Sequence, residues 1–359
     1  MDGRSSGQVL GQTGLVLPPI IFGTSSFGNL YRAIPDETKI DILREMVRWG
    51  GSTPGQEETR GAPLVLDTAG KYGAGLALEA IGAGLRALGV PRDRVLVSNK
   101  LGWARAPLRA AEPTFEPGIW VGLEHDAQQE INRDGILRCF HEGNALLGPP
   151  FAADLVSVHD PDEYLARAGG GRSQALEEVV GAYEALHELK QAGGVRAVGV
   201  GAKDWRVIRE ISDRVELDWV MLACSLTALH HPPEVIAFVE SLRRRGVGVV
   251  NSAVFHAGFL TGGRFFDYRI PDPTAAEDRP LFEWREQFTA LCVRWGVSAA
   301  AACVQFAMSA PGIVSVALNT SRPEQVRSNV ALASADIPRS FWTAAKDLGL
   351  VRSDYPYLP

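Results

Sequence analysis

Short runs of Val, Leu and Ile recur along the chain, and the longer stretches between them repeat an apolar residue every three to four positions. An unbroken apolar run of four to six residues suits a strand buried on both faces, because a half-exposed strand would alternate apolar with polar. Such runs place strands at 20–23, 64–67, 95–98, 155–159, 197–201, 219–223, 247–251 and 313–318. The longer period places helices at 39–49, 77–88, 135–147, 175–191, 205–213, 233–245, 281–309 and 323–333. Strand and helix alternate throughout, which predicts an α/β fold, a closed parallel (β/α)8 TIM barrel. A stretch at 10–19 punctuated by Gly and Pro reads as a hairpin ahead of the first strand.

Such a barrel typically needs about 250 residues, whereas this chain has 359. The surplus belongs in loops and tails of one domain spanning 1–359. Two stretches stand out: 102–133, interrupted by Pro107, Pro113, Pro117 and Trp120, and 262–280, rich in Pro, Asp and Phe. Both leave the carboxyl ends of their strands, where barrel active sites are built, and both read as irregular lids or pocket walls.

Composition narrows the partners. With 46% apolar and 22% charged residues the chain can bury a full core, and its net charge of −6 offers no basic face for nucleic acid or an anionic membrane. Arg243-Arg244-Arg245 closes an amphipathic stretch, where cations favour a helix C-terminus. No window reaches the length of a membrane span, and the first residues lack the apolar core of a signal peptide, so a cytoplasmic location is expected. Cys139, Cys224, Cys292 and Cys303 are widely spaced, which points to free thiols in a reducing compartment and to no metal site.

The chemistry collects at strand ends. The run at 64–66 leads into Asp67, with Tyr72 just beyond; the run at 95–97 precedes Lys100; the run at 155–158 ends on His159. Singly each has a plain explanation: Asp67 as a helix N-cap, Lys100 as an exposed strand end, Tyr72 and His159 as turn residues. Jointly they form a proton-transfer set. A tyrosine serves as acid or base when a neighbouring ammonium stabilises its phenolate, a carboxylate can hold that ammonium, and an imidazole can bond the substrate oxygen. Hydride transfer at a carbonyl carbon needs such a set, because the oxygen gains or loses a proton at the same time.

These residues lie within motifs that resemble the aldo-keto reductases over nearly the whole chain. The motifs are Leu10-Gly-Gln-Thr-Gly-Leu15, Phe22-Gly-Thr24, Leu66-Asp-Thr-Ala-Gly-Lys-Tyr-Gly73, Leu78-Glu-Ala-Ile-Gly82, Ser98-Asn-Lys100, Val158-His-Asp160 and Pro323-Glu-Gln-Val-Arg-Ser-Asn329. The resemblance implies a nicotinamide-dependent barrel enzyme whose catalytic tetrad is Asp67, Tyr72, Lys100 and His159, with Tyr72 as the general acid/base. Segments such as 22–30, 200–205 and 251–262, with Trp120 in its long insert, look most like the sugar dehydrogenase branch. That implies oxidation of an aldose of the L-fucose or D-threo type at C1 to a lactone. Reduction of aldehydes or ketones and dehydrogenation of pyridoxal are the alternatives on the same barrel.

By the same resemblance the cofactor, NAD or NADP, meets Gly23, Thr24, Ser252, Gly258, Leu260, Asn319, Ser321, Gln325 and Asn329. Trp120, His125 and Phe255 are expected to wall the substrate. The chain departs from the family at several places. Ser252 stands where many members stack a tyrosine on the nicotinamide, Ala223 aligns with a usual glutamine, and the serine–asparagine pair maps ambiguously onto 201–204. Asn319 and Gln325 replace the lysine and arginine that hold the 2′-phosphate in NADPH-specific members, which favours NAD slightly, although Arg322 and Arg327 are near.

Two rivals fit less well. The Gly73-x-Gly75 and Gly199-x-Gly201 pairs lack the remaining features of a Rossmann fingerprint. His125-Asp126, His159-Asp160 and His230-His231 lack metal-ligand spacing, and His230 and His231 read as solvated loop residues. A role in another class, a cofactor-sensing regulatory subunit, stays open because a complete tetrad does not exclude it.

Overall fold

A computed structural model describes residues 7–51 and 62–359. The first six positions, part of the segment read above for a leader, lie outside the described residues. Strands β1 (Gln8–Val9) and β2 (Val16–Leu17) form the expected antiparallel hairpin. The barrel strands are β3 (Ile20–Gly23), β4 (Leu64–Ala69), β5 (Val95–Leu101), β8 (Leu155–His159), β9 (Ala197–Ala202), β10 (Trp219–Ala223), β11 (Gly248–Ser252) and β12 (Ile313–Asn319). They pair in parallel with their neighbours in chain order, and β12 returns to β3 to close the barrel. Every predicted strand is present, with β4 and β5 running past the ends of their apolar runs.

The outer layer holds α1 (Asp36–Trp49), α2 (Leu76–Ala87), α3 (Arg133–Leu147), α4 (Pro161–Arg167), α5 (Arg172–Gln191), α6 (Trp205–Ser212) and α7 (Pro233–Arg244). It continues with α8 (Arg279–Trp295), α9 (Ala299–Ser309), α10 (Glu324–Ala331) and α11 (Arg339–Asp347). The single helix expected at 281–309 is two, meeting at 102°. Gly296 ends α8 in the left-handed conformation, and Ser298 caps α9 by accepting from the Ala301 N–H, so the chain turns although Trp295 and Val297 continue the apolar pattern. Among the described residues no single helix is long and apolar enough to cross a membrane.

The stretch 102–133 is not irregular throughout. It contains an antiparallel ribbon of β6 (Trp103–Pro107) and β7 (His125–Gln129), whose polar second strand carries no apolar signal of its own. All four cysteines are free, three of them buried.

Period-two geometry explains what faces the barrel axis. Val65, Leu96 and Leu155 pack in one cluster with Ala197, Trp219, Met221 and Val250. Side chains two or four residues further along each strand share that face, which brings Asp67, Lys100 and His159 inward at the carboxyl end. Two glycines on β9 make room. A Cβ at Gly199 would stand 2.5 Å from the Trp219 ring, and one at Gly201 would stand 3.2 Å from Lys100 Cδ. Leu10, Leu15 and Leu17 of the hairpin join the same interior cluster from the amino-terminal end and plug it.

Candidate active site

Asp67 and Lys100 are almost fully buried, with Lys100 Nζ donating to Asp67 Oδ2 at 2.5 Å. Ser98 Oγ donates to the other carboxylate oxygen at 3.2 Å, and Thr24 Oγ1 donates to the Asp67 carbonyl at 2.9 Å. Burial pushes the Asp67 carboxyl up against the pull of Lys100. Burial would lower Lys100, but Asp67 and Tyr72 outweigh it, so the ammonium ends above its ordinary value and stays charged at neutral pH.

Tyr72 stands in the turn between β4 and α2, its N–H donating to Ala69 O at 3.1 Å and its carbonyl accepting from Ala77 N at 3.2 Å. Lys100 Nζ lies 4.7 Å from the ring centroid and hydrogen-bonds the hydroxyl. The expected lowering by Lys100 is present, yet burial is larger, and the phenol ends above its ordinary value. His159 meets the Tyr72 ring edge-on at 5.8 Å. Burial drops its imidazole to about 3, with Lys100 reinforcing the fall and Asp160 opposing it, so the ring is neutral at working pH. Its Nε2 is 3.6 Å from Asp160 Oδ2, and its buried Nδ1 has no partner among the described residues. The structure brings all four predicted catalytic residues together.

The walls divide. Trp120 is buried, tilted against the Tyr72 ring at 5.9 Å, and its Nε1 donates to Glu116 Oε2 at 2.7 Å. His125 pairs with Pro107 at the outer end of the β6–β7 ribbon, while the inner end, at Gln129, donates to Asp160 O at 3.0 Å. Phe255 packs half-buried between two core clusters.

The cofactor positions line the rim from β3 to β12. Gly23 pairs with Asp67 and with Asn319 across the sheet. Asn319 is exposed; its Oδ1 accepts from Ser26 Oγ at 2.8 Å and its Nδ2 donates to Ser25 Oγ at 3.0 Å. Thr320 Oγ1 donates to Gln325 Oε1 at 2.9 Å, and half-buried Asn329 lies on α10. Ser252 is buried and donates to Leu222 O at 3.2 Å. Gly258 and Leu260 both give their N–H groups to Phe255 O, and the Leu260 side chain is in the core. An open cleft of about 310 Å³ beyond β9 and β10 is lined by Lys203, Asp204, Cys224, Ser225 and His230, taking in two residues of the ambiguous 201–204 segment. Carboxamide and hydroxyl groups, with the Arg32 guanidinium beside Ser321, suit ribose hydroxyls and a pyrophosphate, so the residues present fit a nicotinamide dinucleotide.

Several residues of the mouth escaped the sequence reading. Arg32 donates to Ser321 Oγ at 2.7 Å and to Ser321 O at 3.1 Å, adding a cation to the rim. Lys71 is buried among Glu116, Asp160 and Glu163. Tyr31, between β3 and α1, reaches the 262–280 loop, donating to Asp267 O and stacking on Phe265 with centroids 4.0 Å apart. Cys224 Sγ, His256 Nδ1 and an Asp267 carboxylate oxygen gather within 4.8 Å of one another. The thiol donates to Asp267 Oδ1 at 3.2 Å, His256 Nδ1 is 3.2 Å from both carboxylate oxygens, and its Nε2 is 2.9 Å from Thr227 Oγ1. Only adjacency to Tyr72 could have flagged Lys71, and nothing in the pattern flags Asp267. His231 is buried, not solvated: its Nδ1 lies 3.0 Å from Thr227 O and its Nε2 accepts from Arg352 N at 3.0 Å.

Comparison with known proteins follows the same lines. The family model described as Aldo/keto reductase family matches residues 19–349. Pyridoxal 4-dehydrogenase of Microbacterium luteolum is 28% identical, covering 97% of this chain and 98% of its own. D-threo-aldose 1-dehydrogenase of a Pseudomonas species is 25% identical, covering 94% and 96%. L-galactose dehydrogenase of Arabidopsis thaliana is 23% identical, covering 90% and 86%. The holo structure of an aldo-keto reductase from Bacillus halodurans superposes with a TM-score of 0.70 at 19% identity, covering 97% of both chains, which supports the barrel.

Proposed function

The chain belongs to the aldo/keto reductase family of oxidoreductases, and we propose that it oxidises an aldose of the L-fucose or D-threo type at C1 to a lactone, using NAD(P)+. The observation that carries this reading is the buried Asp67–Lys100–Tyr72 chain with a neutral His159 beside it. Bound nicotinamide would supply the hydride acceptor. Gly23, Thr24, Ser252, Gly258, Leu260, Ser321 and Asn329 would hold it together with Asn319 and Gln325.

The chain's own groups manage the proton. Tyr72, as phenolate, takes the C1 hydroxyl proton while hydride leaves the same carbon, and Lys100 stabilises that phenolate. Asp67 keeps Lys100 charged and fixed. His159, neutral, hydrogen-bonds the same oxygen and orients the carbon. Trp120 excludes water and gives an apolar wall to the substrate ring.

A second reading, dehydrogenation of pyridoxal, is favoured by the 28% identity to a pyridoxal 4-dehydrogenase. The chemistry is close: aldoses and free pyridoxal both close to cyclic hemiacetals, whose oxidation gives a lactone. On the cofactor, NAD+ is at least competitive with NADP+, because neutral Asn319 and Gln325 stand where a phosphate-binding pair would be, although Arg32 adds one cation nearby.

The test is a panel of aldoses and pyridoxal with each cofactor, read by absorbance of reduced nicotinamide. Enzymic turnover of an aldose supports the first reading and turnover of pyridoxal alone the second. Tight cofactor binding with no turnover of sugar, pyridoxal or simple aldehydes would instead support a regulatory subunit.

A further inference from the structure

The proton relay uses neither Lys71 nor the segments that close over it. We propose that Lys71 is a positioning residue, a buried clasp that holds the 102–133 and 262–280 loops over Tyr72 and so sets the grip on ring-sized substrates. Its side chain is 1% exposed, with Glu116 at 2.8 Å, Asp160 at 2.7 Å and Glu163 at 3.3 Å. The three carboxylates come from two separate segments. Glu116 belongs to the loop whose Trp120 packs on Tyr72, and it accepts from Trp120 Nε1 at 2.7 Å, so it couples Lys71 to that wall. Asp160 follows His159 at the end of β8, and Glu163 lies on α4.

The second loop is held by its ring and by its neighbour. Tyr268 lies 5.9 Å from Lys71 Nζ and 4.2 Å from Lys203 Nζ, and Lys203 shares Glu163 with Lys71 at 3.0 Å. Asp267, adjacent to Tyr268, is bonded to His256 and Cys224. The ribbon strand β6 contributes Trp103, whose ring is 4.6 Å from Lys71 Nζ.

A buried cation shared by three carboxylates cannot be neutralised quietly, because anions would be left facing one another away from water. Asp160 and Glu163 are fixed at the β8–α4 turn, whereas Glu116 sits on a loop, so the loop is what gives way. Trp120 then leaves Tyr72 and the pocket loses its wall. The Asp67–Lys100–Tyr72 chain keeps its own contacts. The consequence falls on substrate grip and leaves the proton relay in place.

This proposal rests on the reading that the substrate is a cyclic hemiacetal, and its test separates the two. Lys71→Met, Lys71→Arg and Glu116→Gln are compared with the unaltered protein on L-fucose as the ring substrate and methylglyoxal as the small carbonyl, alongside trypsin cleavage at exposed Arg109 and Arg264. In Lys71→Met the KM for L-fucose should rise about tenfold or more while methylglyoxal kinetics stay within about twofold. Cleavage of both loops should accelerate, and Lys71→Arg should restore both readouts. Equal losses on both substrates, or no change in either, overturn the proposal. If Lys71→Met fails to fold, Glu116→Gln should show the same split at smaller size, and its absence is equally fatal. Should the unaltered protein oxidise no aldose or pyridoxal, the functional reading falls, and unchanged trypsin cleavage in Lys71→Met then overturns the clasp independently.

Discussion

Lys100 Nζ lies 2.5 Å from Asp67 Oδ2, with both side chains almost out of contact with water at the open end of the barrel. The pair exists for a third group: the same ammonium stands 4.7 Å from the Tyr72 ring centroid and bonds its hydroxyl. Tyr72→Phe should therefore lower kcat by about 10²-fold or more while the cofactor still binds. Steady-state kinetics and a fluorescence titration with NAD(P)H check the two halves, and unchanged turnover would sink the mechanism.

Burial holds the Tyr72 phenol above its ordinary value of 10.0 despite Lys100. Oxidation needs the phenolate as base and reduction needs the phenol as acid. The kcat/KM for oxidation should accordingly climb through the alkaline range, while that for reduction stays flat through neutrality and falls only at high pH. Lys100→Met removes the group that favours phenolate, so its oxidation profile should move further alkaline. A profile that is level in both directions contradicts the role assigned to Tyr72.

Asn319 and Gln325 are neutral groups bonded to Ser25, Ser26 and Thr320 at the rim. Restoring cations with Asn319→Lys and Gln325→Arg should raise the NADP+ to NAD+ ratio of kcat/KM by about tenfold or more, since each adds a charge-assisted bond to the 2′-phosphate. A marked preference for NADP+ in the unaltered protein would show that Arg32 or a neighbour already fills that role.

The two β9 glycines should fail differently. Gly199→Ala forces a Cβ to within 2.5 Å of the Trp219 ring and 2.6 Å of its carbonyl, and should lower stability by roughly 1–3 kcal/mol. Gly201→Ala crowds the flexible Lys100 stem at 3.2 Å and meets Met221 Cβ at an ordinary 3.7 Å, so the fold should hold while kcat falls as the ammonium shifts. Denaturation midpoints measured beside kcat separate these outcomes.

Acid should destabilise the protein through its buried imidazoles. His159 and His231 titrate at about 3 and about 4 in the folded chain, and near 6.5 when unfolded. Below 6.5 the unfolded state binds more protons than the folded state, so stability falls as pH drops from there toward those values. Tm should decline between about pH 7 and about pH 5, and His231→Gln should flatten the slope.

The barrel was legible because strands buried on both faces are written as unbroken apolar runs, and the tetrad was legible because each member sits at or just beyond the end of such a run. The break between α8 and α9 was not, since Trp295 and Val297 carry the apolar rhythm across a turn made by Gly296 and Ser298. The polar strand His125–Gln129 left no trace, because its pairing with β6 needs no apolar run and Ala127 alone of its five residues joins a core cluster. His231 looked like a loop residue because its two partners, Thr227 and Arg352, lie at very different sequence separations. Lys71 and its carboxylates were invisible for the same reason: ion pairs between residues 45 and 92 positions apart have no period.

The hairpin that plugs the barrel's amino-terminal end with Leu10, Leu15 and Leu17 makes the interior a cul-de-sac. Whatever reacts here must enter and leave at the opposite end. The floor that closes one mouth thus leaves the carboxyl-end face, where Asp67, Lys100 and His159 turn inward, as the one approach through the barrel's ends.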